Sequence, residues 1–241
     1  MVLETDRFRL DVNTAFLLCR HPRFPCPSDI LPTINAELLP PVSNAELLQI
    51  CFTEDLISII KSVYNINWLI KSSFATRNIW DDGLFAGYYI MPLLHKLLSI
   101  HSGPCEDVIG LCKEQACSIG VILYLASIRR YFGISLATNV YIPKLKETVA
   151  KWQLSYVVEA DHPLLWVVMM GGIQSLHHED HQWFVSTMAA LISSYAYDSW
   201  HSVMETINKV LWIPGILDIE CNKFHEEVSS AFSGHNIPIL L

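Results

Sequence analysis

Pro163-Leu164-Leu165-Trp166-Val167-Val168-Met169-Met170-Gly171-Gly172-Ile173 is the most apolar run of the chain. From Leu164 to Leu176 only Gln174 and Ser175 are strongly polar. A run that is apolar all round reads as a helix buried on nearly every side. Crossing a bilayer takes about 20 apolar residues, so this shorter run is expected to be a core helix. Gly171 and Gly172 each cost such a helix roughly 1 kcal/mol against alanine. They are expected where another backbone, or a bound ligand, comes close.

Around this run the sequence is punctuated as a series of helices. Leu56, Ile59, Ile60, Val63 and Tyr64 have helical spacing, in a helix opened by Thr53 or Glu54 and running to about Trp68 or beyond. Ser43 or Asn44 is placed to cap a helix through about Ile50. Asn78 is placed to cap a helix Ile79–Ile100, which Pro92 is expected to kink. His101-Ser102-Gly103-Pro104 is a break. Residues 106–132 read as one long helix stopped by Gly133. Pro143 suits the first turn of a helix Lys144–Trp152. Asp161 is a candidate cap for the central run. Beyond the polar joint His177–Asp180 come helices Trp183–Tyr197, Trp200–Leu211 with Ser199 as cap, and Glu220–Phe232. Few segments alternate with period two. The fold class expected is all-α, a single domain of about nine or ten helices. Residues 1–43 are expected to form a proline-rich N-terminal arm packed on the core, with one short helix around Val12–Cys19, and residues 44–241 the helical domain. No repeat with a period of 34 to 47 residues is present, which argues against common helical solenoids.

Composition narrows the function. At 241 residues the chain can bury a sizeable core. Its net charge of −8, without a basic cluster, disfavours direct nucleic-acid binding. Seven cysteines at irregular spacings fit reduced thiols. The charged start Met1–Arg7 lacks the apolar core of a signal peptide. No Gly-rich phosphate loop, GxGxxG or GxSxG is present, so no cofactor is expected.

Several stretches together resemble the regulatory region that follows the zinc cluster in fungal-specific transcription factors. They are Pro163–Ile173, Trp183-Phe184-Val185, Ser199-Trp200 with Val210-Leu211-Trp212, and Phe224-His225-Glu226-Glu227. Cys117-Ser118-Ile119-Gly120 with Leu123-Tyr124-Leu125 resembles an upstream part of that region. The likeness covers about residues 105–230. It implies a helical fold and an apolar cavity that senses a small molecule. The six-cysteine cluster and basic linker of those factors are not in this chain, so their DNA binding does not carry over.

Three residue groups are candidates for chemistry. Asp81, Tyr88 and His95 are spaced by seven, which puts them near one face of a continuous helix. With Trp80, Phe85 and Met91 they are expected to line a pocket and hydrogen-bond a ligand carbonyl or carboxylate. The competing reading has Asp81 in a first turn, Tyr88 as packing and His95 at the solvent. Trp166, Met170, Ile173 and His177 share one face of the central helix and are expected as ligand wall, core or both. His177 and His181 are four apart, as two metal ligands on one helix would be. The motif is not HExxH, Asp180 is expected to cap the next helix, and no metal is assigned. Ser175 lies near His177 but has no third partner in sequence.

The function expected is binding of a hydrophobic small molecule, with cofactor-independent cyclisation or Diels–Alder-type cycloaddition in fungal terpenoid or polyketide biosynthesis. Confinement of reacting ends removes up to roughly 7–11 kcal/mol of barrier in favourable cases, and a donor on a carbonyl removes more. The alternative is a non-catalytic regulator lacking its own DNA-binding domain and working through a ligand or partner protein. No membrane span is expected, a homodimer is left open, and the location expected is cytoplasmic, or nuclear for the regulator.

Overall fold

The computed structural model describes residues 2–27, 53–73, 79–100, 108–154 and 162–233. The helix expected up to Ile50, most of the proline-rich arm, the caps Asn78 and Asp161 and the break at 101–104 lie outside the described residues. The α-helices are α1 (Val2–Leu17), α2 (Glu54–Ser73), α3 (Met91–Ser99), α4 (Val108–Tyr131), α5 (Ile142–Leu154), α6 (His162–Gln174), α7 (His181–Ser194), α8 (Trp200–Val210) and α9 (Asp218–Ser233). Among the described residues there is no strand. The all-α reading therefore holds.

The apolar run is α6, and Pro163 through Ile173 are all buried. It packs against α4, α5, α7, α8 and α9. A helix surrounded in this way needs apolar side chains all round, which is why its sequence shows no polar face. Trp166 is fully buried and reaches across to α4, where a methyl on Gly120 would meet its ring at 2.7 Å. Its indole Nε1 donates to the Leu211 carbonyl at 2.8 Å, just past α8.

The two glycines of α6 serve packing. A Cβ on Gly171 would meet the Phe184 ring of α7 at 2.2 Å, and one on Gly172 would meet the Phe224 ring of α9 at 2.2 Å. What comes close is an aromatic ring in each case.

The N-terminal helix is longer than the short one expected around Val12–Cys19. α1 spans sixteen residues, and Phe8, Val12, Ala15 and Phe16 enter the core at helical spacing. The charged residues Asp6, Arg7 and Arg9 obscure that stripe at the start of the helix. α1 packs on α3. Tyr141 donates its hydroxyl to the Phe16 carbonyl at 2.8 Å, so the helix is fastened at its C-terminal end as well.

The expected continuous helix Ile79–Ile100 is also corrected. Ile79–Asp81 is a separate 3₁₀ turn, Ala86–Ile90 is a π-helical turn and only Met91–Ser99 is α-helical. Pro92 has no N–H to extend an α-helical ladder backwards. The chain widens just before it, and the Met91 N–H bonds to the Ala86 carbonyl five residues back. Gly87 sits in this widened turn, where a Cβ would lie 2.6 Å from the Arg9 guanidinium.

Later boundaries follow the expected punctuation closely. Gly133 ends α4 with a left-handed φ of 75°. Ser199 caps α8, accepting the Ser202 N–H at 3.3 Å. Asp180 does not cap α7 with its side chain. Its carboxylate instead accepts from Lys146 Nζ of α5 at 2.6 Å, a stronger partner than a backbone amide.

One buried charge tests the core directly. Arg129 is 2% exposed, and both terminal nitrogens donate to the Asn13 Oδ1 at 3.2 Å, while its Nε has no partner. Burial pulls its pKa down to about 10, so it stays charged at neutral pH without a carboxylate beside it. Asn13→Asp is expected to raise stability by about 1 kcal/mol, because a charge-assisted bond replaces a neutral one. Urea unfolding with an unchanged slope checks it, and a lowered midpoint would contradict the assignment.

Candidate functional site

The corrected backbone separates the residues expected to form the pocket. Asp81 is exposed in its 3₁₀ turn, and Tyr88 is 37% exposed on the π-helical turn. His95 approaches the Phe24 carbonyl with Nε2 at 2.8 Å and lies 5.4 Å from the Phe8 ring. A carbonyl only accepts, so Nε2 carries the proton and the imidazole fastens the loop after α1 onto α3. Trp80 packs on Tyr131 and Phe132 at 5.1 and 5.0 Å. Phe85 stacks on Tyr89 and Phe132 at 4.7 and 5.3 Å, and Met91 is buried in the core. The break at 82–84 puts Asp81 off the helix that carries His95, so the sevenfold spacing does not produce a shared face.

On the central helix, Trp166 and Met170 are fully buried core residues. Ile173 and His177 do reach a cavity, of about 260 Å³, between the ends of α4, α6 and α9. Its other walls include Arg130, Asn139, Gln174, His178, Glu220 and Lys223. Arg130 and Glu220 form an ion pair there at 3.7 Å.

The fold pairs Ser175 with His181 rather than with His177 and adds a carboxylate beyond it. Ser175 Oγ lies 3.0 Å from His181 Nδ1, and His181 Nε2 lies 2.8 Å from Glu227 Oε2 on α9. This joins a hydroxyl, an imidazole and a carboxylate in a row, which is the arrangement of an activated nucleophile. Its surroundings argue for another role. Ser175 is fully buried, its Oγ also reaches the Gly172 carbonyl at 3.1 Å, and its own N–H bonds to the same carbonyl. An acyl substrate needs access to the hydroxyl and free N–H donors for its oxyanion. The row instead fastens the α6–α7 joint to α9. His181, one of the two histidines at metal-ligand spacing, is turned inward by it, while His177 faces outward. Among the described residues no three of His, Cys, Asp or Glu gather in a metal-binding cluster.

A larger cavity of about 630 Å³ opens between α4 and α5. Apolar and polar residues are mixed in its α4 side, Leu111, Cys112 and Ile119 beside Glu114, Gln115 and Ser118, while α5 contributes Lys144, Glu147, Thr148 and Lys151. Ile100, just past α3, also lines it. The volume falls in the range of small-molecule sites, about 300–1,000 Å³. Two of its carboxylates are already engaged. Glu114 accepts from the Thr53 hydroxyl at 2.6 Å, and Glu147 accepts from Lys151 at 2.7 Å. The hydrogen bond from Lys151 and its charge hold the Glu147 carboxyl below its ordinary range and raise the lysine in return. Sequence reading missed this site because its lining residues look like ordinary amphipathic helix surface; only the gap between the two helices makes them a pocket.

The buried thiols are not candidates for nucleophilic chemistry. Cys117 is fully buried, and burial pushes the Cys221 thiol up to about 12. Within α4, Gly110–Tyr131 has the length and composition of a bilayer span, but 67% of its apolar window is buried inside the protein, as in a core helix. Compared with known proteins, the chain matches no family model, no curated protein and no solved structure.

Proposed function

We propose that the protein is a ligand-binding domain of regulatory type that takes up an amphipathic small molecule between α4 and α5. The observation that carries this reading is the cavity of about 630 Å³ whose lining mixes apolar and polar side chains. Such a lining suits a hydrophobic body with a polar end, the apolar side chains supplying affinity and the polar ones orientation. Tyr88 and His95, which the cyclase reading would use as donor and base, do not line it. The sequence resemblance to regulatory regions of fungal transcription factors points the same way. In this reading the ligand alters how α4 and α5 pack, and a partner protein reads the change.

A second reading keeps the cofactor-independent cyclase in the same cavity. It is favoured by the lining itself, where the Thr148 hydroxyl, the Glu114 carboxylate and the Lys151 ammonium lie beside apolar side chains. Confinement of a flexible terpenoid or polyketide chain there is the source of rate acceleration.

One experiment separates the two. The purified protein is heated with a panel of amphipathic terpenoid and polyketide acids, and the mixtures are then analysed for products. A true ligand at a hundred times its dissociation constant stabilises by about 2.7 kcal/mol, which reads as a raised melting temperature. Ser118→Trp fills the cavity and is expected to abolish the shift. Stabilisation without conversion supports the regulator, and conversion lost in Ser118→Trp supports the cyclase. Equal shifts in the wild type and Ser118→Trp would sink both.

A further inference from the structure

A third concavity, of about 260 Å³, lies where the chain turns back over α1, and three arginines line it: Arg7, Arg20 and Arg23. We infer that it is a binding site for the phosphate group of an organic phosphate monoester. The backbone builds it in a definite way. After α1 the chain reverses at Cys19, whose φ of 48° is left-handed, and Arg20 N–H returns to the Ala15 carbonyl at 3.0 Å. The loop is then pinned by Asp11, whose Oδ2 accepts from the N–H groups of Arg23 and Phe24 at 2.6 and 2.8 Å. The carboxylate in the concavity is thus committed to backbone amides. Among the described residues, no carboxylate forms an ion pair with any of the three guanidinium groups.

As Arg129 does in the core, Arg20, one of the lining residues, has an unpartnered donor. Its Nε is buried and has no hydrogen-bond acceptor. A buried N–H without an acceptor costs stability until an oxygen reaches it. The local charge is also opposite to that of the chain. Residues 5–27 hold four arginines against two aspartates, in a protein of net charge −8.

The number of donors selects the ligand chemistry. A phosphate monoester carries between about −1.5 and −2 at neutral pH and three acceptor oxygens, which matches three guanidinium forks. A carboxylate offers two oxygens and one charge. Leu10 and Phe24, 67% and 50% exposed, border the arginines and provide apolar contact for the organic part of the ester. A soluble sugar or glycerol phosphate and the headgroup of phosphatidic acid share this chemistry. The site has no lining residue in common with the cavity between α4 and α5, and it stands whether or not that cavity binds a ligand.

The test is titration calorimetry of the full chain at low salt with inorganic phosphate and glycerol 3-phosphate. It runs beside flotation with phosphatidylcholine vesicles that contain or lack phosphatidic acid. Binding of a soluble phosphate assigns the site to soluble esters; binding only to phosphatidic acid vesicles assigns it to the headgroup. Arg7→Gln and Arg23→Gln change exposed side chains and are each expected to weaken binding about tenfold, the loss of one charge-assisted contact. Arg20→Gln removes the third guanidinium and is expected to weaken binding at least tenfold with circular dichroism unchanged. Absence of binding to every phosphate probe, or equal affinity in the wild type and the Arg7→Gln/Arg23→Gln double variant, would overturn the site.

Discussion

Trp166→Ala is expected to lower the unfolding free energy by about 3–5 kcal/mol, the usual cost of deleting a buried aromatic. The residue is fully buried and is in contact with α4 through Gly120. Its loss also leaves the Leu211 carbonyl, now accepting from Nε1 at 2.8 Å, without that donor. An unsatisfied buried acceptor adds about 1–3 kcal/mol when no water replaces the donor. Native domains have only about 5–15 kcal/mol of stability in all, so the variant is expected to be largely unfolded in moderate urea. Trp166→Phe keeps most of the ring and loses the N–H, so the difference between the two variants isolates packing from the hydrogen bond. A loss under about 1 kcal/mol for the alanine variant would mean that α4, α6 and the end of α8 are not joined through this ring.

Gly171→Ala and Gly172→Ala are expected to destabilise although alanine is the better helix former. Propensity favours each substitution by roughly 1 kcal/mol. Against this, the new methyl would lie 2.2 Å from the ring of Phe184 or Phe224, both fully buried. Neither ring has space to swing aside, so α7 or α9 must shift, and overpacking of this kind costs about 1–3 kcal/mol or more. A net loss near 2 kcal/mol is expected for each, and failure to fold for the double variant. Trimming the opposing ring provides the control. Gly172→Ala combined with Phe224→Leu is expected to recover about 1 kcal/mol relative to additivity, a coupling that only direct contact produces. Additive losses would place the methyl and the ring apart.

Most helices were legible because their signals are local. Ser199 caps α8, Gly133 stops α4 and Pro143 lies in the first turn of α5, as backbone chemistry requires of those residue types. The failures have physical causes. The N-terminal helix is read too short, around Val12–Cys19 only, because charged residues interrupt its stripe, although Phe8, Val12, Ala15 and Phe16 are spaced for a helix. The segment Ile79–Ile100 reads as one helix kinked at Pro92 because apolar spacing cannot register a break followed by a π-helical turn. That error moved the candidate site, since the alignment of Asp81, Tyr88 and His95 depended on an unbroken 3.6-residue period.

The candidate sites themselves were less legible. Ile173 and His177 do reach a cavity, and Trp166 and Met170 on the same helix do not line it. The row Ser175–His181–Glu227 joins residues from the two sides of a joint and from a helix 46 positions away from the histidine. The two larger proposals, the amphipathic cavity and the arginine concavity, are built from polar residues that look unremarkable in order along the chain.

By itself, the sequence determined the all-α class, the central place of Pro163–Ile173, and the need for close approach at Gly171 and Gly172. These follow from periodicity, uniform hydrophobicity and the missing Cβ, which are properties of a few consecutive residues. Tertiary structure decided what makes that approach, which turned out to be two phenyl rings. It also decided where space is left between helices and which charges go without partners. Those are set by the distances between elements far apart in the chain, and no local pattern encodes them.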